Sequence, residues 1–168
     1  MLRVIGALFF INYSYIFACN VDDRIMFSIA EIEKHKDRVV GYPYLISFNS
    51  RKDIDKLNID IKKYFIDSRT IDCQNVDTCK YILSILILNN IKNLDCGAFQ
   101  INYKFWKIPN TDYFDIKKSY AKACSIVESH NKLKWSWNNI ANYHSGTPHL
   151  NRKYKSLLLS SIQRNINN

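Results

Sequence analysis

Apolar residues recur at three- and four-residue intervals through much of the chain. The first such run predicts a helix over 23–36, opened by capping and first-turn residues in Asn20-Val21-Asp22-Asp23. Placed at about 100° per residue, Ile25, Met26, Ile29 and Ile32 gather into one stripe, with Glu33 inside it and Glu31 on the opposite side. A carboxylate in apolar surroundings has to be paired, neutralised or used. We read Glu33 as a catalytic acid and Glu31 as a solvated helix residue.

Beyond Gly41-Tyr42-Pro43-Tyr44 the helical period stops, and Leu45-Ile46-Ser47-Phe48 reads as a short strand. The stretch 51–63 fits either period, and Tyr64-Phe65-Ile66 looks like a returning strand that would close a hairpin. A helix over 76–89, capped by Asn75 or Asp77, is apolar nearly all round and is expected as a buried central rod. Further helices are expected over 116–130, 138–143 and 154–162. The elements together predict a mainly helical α+β domain with a small β-hairpin.

The 168 residues allow one domain with a real core. Residues 1–18 stand apart: Arg3 precedes an almost wholly apolar run that ends in a small residue, Ala18. That run is shorter than the ~20 residues that span a bilayer, so it reads as an export signal, with the domain occupying 19–168. Ile16-Phe17-Ala18-Cys19 also approximates a bacterial lipobox, leaving two routes, soluble export or a lipid anchor on Cys19. Export favours disulfides among Cys19, Cys73, Cys79, Cys96 and Cys124. Four cysteines permit three pairings; Cys73 with Cys79 and Cys96 with Cys124 is the preferred one, against buried free thiols. No Cys or His pair has zinc-like spacing, so no metal and no cofactor is expected.

A net charge of +9 implies affinity for polyanions. The basic residues are dispersed, and an exported chain rarely meets nucleic acid, so an acidic wall polymer or anionic surface is the better match.

Three stretches together resemble the lytic transglycosylase family with the goose-lysozyme-like fold, the SLT domain, in its envelope-machine-associated form. Ser28-Ile29-Ala30-Glu31-Ile32-Glu33 resembles the segment ending in the catalytic glutamate, with Lys34 where the family usually has serine. Gly97-Ala98-Phe99-Gln100-Ile101-Asn102 is similar to the Gly-Leu-Met-Gln-Ile segment that lines the sugar groove. Ile140-Ala141-Asn142-Tyr143-His144-Ser145-Gly146 resembles the segment whose tyrosine hydroxyl contacts the glutamate. The resemblance covers about 22–159 and implies a lysozyme-like fold acting on peptidoglycan glycan strands in the periplasm, with a secretion, pilus or flagellar apparatus as a further partner.

On that reading Glu33 is catalytic, Tyr143 holds it, and Gln100, Phe99, Ile101, Asn102 and Tyr44 line the substrate groove. Tyr42 and Trp106 are further stacking candidates. The motifs offer one carboxylate, since Asp95 is expected as a cap or loop residue, although within reach of the groove. A lone acid suffices if the muramic acid C6 hydroxyl attacks its own anomeric carbon, giving a 1,6-anhydro product. The alternatives are a hydrolase on the same fold and a catalytically idle wall-binding or assembly protein.

Overall fold

The computed structural model describes residues 19–50, 52–55, 57 and 60–166. The expected export signal over 1–18, and part of the ambiguous stretch 51–63, lie outside the described residues. The helices are α1 (Asp23–Glu33), α2 (Lys52–Asp55), α3 (Val76–Leu88), α4 (Ile116–His130), α5 (Trp137–Ala141) and α6 (Pro148–Ile166). The strands are β1 (Leu45–Phe48), β2 (Thr70–Asp72), β3 (Leu94–Cys96) and β4 (Ile101–Asn102). The fold is therefore mainly helical α+β, as expected. None of the described helices is long and apolar enough to cross a membrane.

The sheet is larger than the expected hairpin. Its four antiparallel strands run in the order β2-β1-β3-β4, with Ser47 opposite Asp95 and Asp95 opposite Asn102. Residues 64–66 are not the returning strand. Lys62–Tyr64 forms a 3-10 turn, Phe65 makes only an isolated bridge to Ile71, and β2 lies six residues later than Tyr64 by starting at Thr70. Two- and three-residue strands are too short to show a period of two, which is why β3 and β4 escape pattern reading.

Three helix expectations also need correction, the first being α6, which spans Pro148–Ile166 and so runs beyond the expected 154–162 at both ends. The chain leaves the helical path at Lys34, whose backbone is extended, so α1 stops at Glu33 rather than 36. Helix α3 is not buried all round: Cys79, Ile82, Leu83 and Leu86 face the core, while Tyr81 and Leu88 are 62% and 84% exposed. The buried stripe is what the fold uses, and the outer apolar side is surplus to it. Side chains open the helices as expected, Asp22 accepting from the Arg24 amide and Asn75 from that of Thr78.

The expected pairing of Cys96 with Cys124 is wrong. Cys19 bonds to Cys124 and Cys73 to Cys79, while Cys96 is a buried free thiol on β3. Lipidation of Cys19 conflicts with this bridge, because the sulfur that would carry the lipid is already bonded to α4.

Helix α1 packs chiefly against α6, with a smaller contact to α4. The segment after α1 is fastened to the sheet: Arg38 pairs with the buried Asp72 at 2.5 Å, and the Tyr42 hydroxyl donates to the same carboxylate at 2.8 Å. These ties fix the C-terminal end of α1, and with it Glu33, relative to the strands.

Candidate active site

Strand alternation builds one wall. On β3, Leu94 and Cys96 are buried in the core, which turns Asp95 to the other face of the sheet. Ser47 and Asn102 stand beside it on the neighbouring strands, so three polar side chains cross the sheet in a row. Glu33, at the last residue of α1, faces this row across a cleft of about 780 Å³. Its side chain is 15% exposed, near enough to solvent to meet a ligand and sheltered enough to be selective.

Asp95 is the residue that sequence reasoning undervalued. It is neither a cap nor a loop residue but a strand residue lining the same cleft as Glu33. Burial pushes its carboxyl pKa up; the Asn102 amide, which donates to it at 2.8 Å, opposes this, and the Glu33 charge adds to the rise. The signal available beforehand was its place one residue ahead of Cys96 and Gly97, which a three-residue strand would convert into an inward-facing carboxylate.

The turn between β3 and β4 is the Gly97-Ala98-Phe99-Gln100 segment. Gly97 has φ +78° and a Cβ there would lie 1.9 Å from the Tyr113 carbonyl oxygen, so the position admits no other side chain without moving backbone. Gln100 also takes a positive φ, of 46°, and its side-chain amide donates to the Gly97 carbonyl at 2.8 Å. That bond uses the Gln100 NH2 group, and Gln100 is one of the residues lining the cleft. Ile101 lines the cleft with its neighbour Asn102.

Not every expected residue arrives. Tyr44 packs edge-on against Tyr42, with ring centres 5.5 Å apart, and stays outside the cleft. Tyr42 is committed to Asp72 and is no stacking platform. The Phe99 ring is buried against Tyr120, and Phe99 does not line the cleft. Trp106 does line the cleft, as does its exposed neighbour Phe105, which the sequence reading passed over.

Tyr143 is in the cleft but does not hold Glu33. Its hydroxyl donates to the Phe99 carbonyl at 2.7 Å, tying α5 to the β3–β4 turn. The side chains around Glu33 are His144 and Tyr154. His144 Nδ1 lies 3.6 Å from Glu33 Oε1, and the imidazole stacks on the Tyr154 ring at 4.8 Å with planes 6° apart. No family model, no curated protein and no solved structure matches this chain. The site therefore has to be read from its own geometry.

The Glu33 carboxylate beside it holds the His144 pKa above the usual imidazole value, against the opposing effect of burial. Asp95 acts in the same direction and Lys153 against it. Burial, then the Glu33 charge, pushes the Tyr154 phenol well up, and its hydroxyl is a buried donor without a hydrogen-bond partner among the described residues. Such a group, next to a carboxylate, gains a bond by a small shift. Asn151 fixes this corner, its amide reaching Asn138, Asn142 and Ser145 between α5 and α6.

The cleft thus presents two carboxylates, an imidazole that shares charge with one of them, and amides on the opposite side. Carboxyl groups so placed can give and take protons at a polar bond. Glu31 belongs to none of this. It accepts from the buried Ser161 hydroxyl and from Arg164 at 3.1 Å, so it fastens α1 to α6 instead of pointing to water.

Proposed function

We propose that this chain is a lytic transglycosylase that cuts the MurNAc–GlcNAc bond of peptidoglycan, with Glu33 as its acid and base. The observation that carries the reading is that Glu33, Gln100 and Tyr143, drawn from three distant segments, line one open cleft. Glu33 protonates the glycosidic oxygen, and the bond from that oxygen to the anomeric carbon breaks. The sugar's C6 hydroxyl then attacks the anomeric carbon and gives its proton to the Glu33 carboxylate. A 1,6-anhydro end forms, no water is consumed and Glu33 returns to its starting state. The export signal and the charge of +9 support a site of action at the bacterial wall, in the periplasm, where local opening would serve an envelope-spanning machine.

Asp95 favours a second reading, a hydrolase on the same fold. With two carboxylates in one cleft, Asp95 could act as nucleophile or activate water. As an anion it would equally stabilise positive charge at the anomeric carbon in the lyase. Products discriminate the two. Mass spectrometry of digested sacculi is expected to find anhydro-muramyl ends, lost by at least about 10²-fold in Glu33→Gln. Reducing ends throughout would replace the lyase by the hydrolase. Equal failure of wild type and Glu33→Gln to release any fragment, with both still bound to the wall, would leave an assembly protein.

A further inference from the structure

Between α4 and α5 the chain forms a tip, Asn131-Lys132-Leu133-Lys134-Trp135-Ser136. Leu133 is fully exposed, Trp135 is half exposed, and Trp137, the first residue of α5, is exposed in part. Hydrogen bonds hold the tip in shape from beneath. The buried Asn131 donates to the Val127 carbonyl at 2.8 Å and accepts from the Ser136 amide at 3.2 Å, while Asn139 donates to the Lys134 carbonyl at 2.6 Å. Large apolar side chains are thus kept in water by a fixed loop, where they add little to the core.

The same part of the chain is basic without interruption. Residues 129–168 contain no Asp or Glu, and six Lys and Arg residues. Lys132 and Lys134 are exposed and alternate with the apolar side chains of the tip. Lys155 on α6 reaches Asn138 in the first turn of α5 at 2.9 Å, which brings a third cation beside Trp137, and Arg152 is exposed one turn before it. The carboxylates of the neighbouring elements are engaged elsewhere. Asp112 and Asp115 serve the opposite end of α4, and Glu128 accepts from the Asn20 backbone and side chain. On α1, Asp23 accepts from Tyr120, Glu31 from Ser161 and Arg164, and Glu33 lies against His144. The Glu128 contact also sets where the described chain starts, beside the end of α4 that carries the tip.

We infer that this tip docks the protein on an anionic lipid bilayer. Leucine and tryptophan enter the boundary between headgroups and acyl chains, while the lysines keep their ammonium groups among the headgroup phosphates, each strengthening binding about fivefold. An acidic wall polymer would account for the cations alone. It offers Leu133 and Trp135 no apolar phase to enter. No part of this surface depends on the reaction in the cleft.

The test uses the protein as isolated from cells, with both disulfides formed, floated with vesicles of phosphatidylcholine alone or mixed with phosphatidylglycerol. Wild type is expected to prefer the anionic vesicles and to shift its tryptophan emission to shorter wavelength on binding. Leu133→Ser combined with Trp135→Ser, at exposed positions outside the core, is expected to weaken binding at least about tenfold and to abolish the shift. Lys132→Glu combined with Lys134→Glu is expected to weaken it as much, and Lys62→Glu combined with Lys80→Glu, on the 3-10 turn and α3, by less than about threefold. Equal binding by wild type and the Leu133→Ser, Trp135→Ser protein overturns the docking surface, as does equal weakening by the two charge reversals. Retention on isolated wall polymer but not on vesicles, lost with the tip lysines, overturns it in favour of the polymer. Tip-dependent vesicle binding by a protein that cleaves no glycan supports the surface and removes only the lyase.

Discussion

At the scale of single residues the site turns on who neighbours Glu33. The sequence placed it on the inner face of its helix, and there it lies. Its partners could not be read the same way, because a motif says which residues accompany a glutamate and only packing says which atoms meet. Tyr143 meets a backbone carbonyl, while His144, three residues beyond α5, meets the carboxylate. That contact has a pH signature. Glu33 raises the His144 pKa, so protonated His144 favours the folded state. The gain is complete below the unfolded value of 6.5 and disappears as pH climbs through the raised folded value. His144→Gln should therefore cost stability on the acid side and little on the alkaline side. Since the side chain is 47% exposed, the gap is expected to stay under about 1 kcal/mol. Urea unfolding of both proteins across that range checks it, and a gap independent of pH would refute the pairing.

At the scale of elements, Glu31 illustrates the limit of helical periodicity. A helix has more than one buried face when two neighbours flank it, and α6 covers the side of α1 that the apolar stripe leaves free. Glu31→Ala leaves the buried Ser161 hydroxyl without its acceptor and Arg164 without its carboxylate. The expected loss is about 1–3 kcal/mol in chemical denaturation, with activity kept at temperatures where the variant is folded. A loss of activity in the folded variant would place Glu31 in the chemistry. Helices α3 and α4 were legible almost to the residue, because long amphipathic runs repeat their signal. The strands β3 and β4 were not, and they carry Asp95 and Asn102. The only advance mark of their turn was Gly97, whose positive φ and closeness to Tyr113 explain why a glycine stands there.

At the scale of the whole molecule, the Cys19–Cys124 bridge closes a loop with a sequence separation of 105 and ties the start of the described chain to α4. Cys19→Ser is expected to lower stability by about 2–5 kcal/mol, read from urea midpoints with and without reductant. Intact mass of the protein isolated from cells should show Cys19 without a lipid. A diacylglyceryl adduct would mean that the bridge is not formed in the cell. Periodicity, caps and charge determined from sequence alone that the chain is mainly helical, that Glu33 faces inward and that the chain carries a net charge of +9. These are local or additive properties, each readable within a few turns of chain or from a sum over it. The sequence reading had Cys73 with Cys79, whereas the tertiary structure alone decided the pairing of Cys19 with Cys124, the partners of Glu33 and the second carboxylate at Asp95. Each depends on which distant segments come to lie side by side, and no local pattern encodes that.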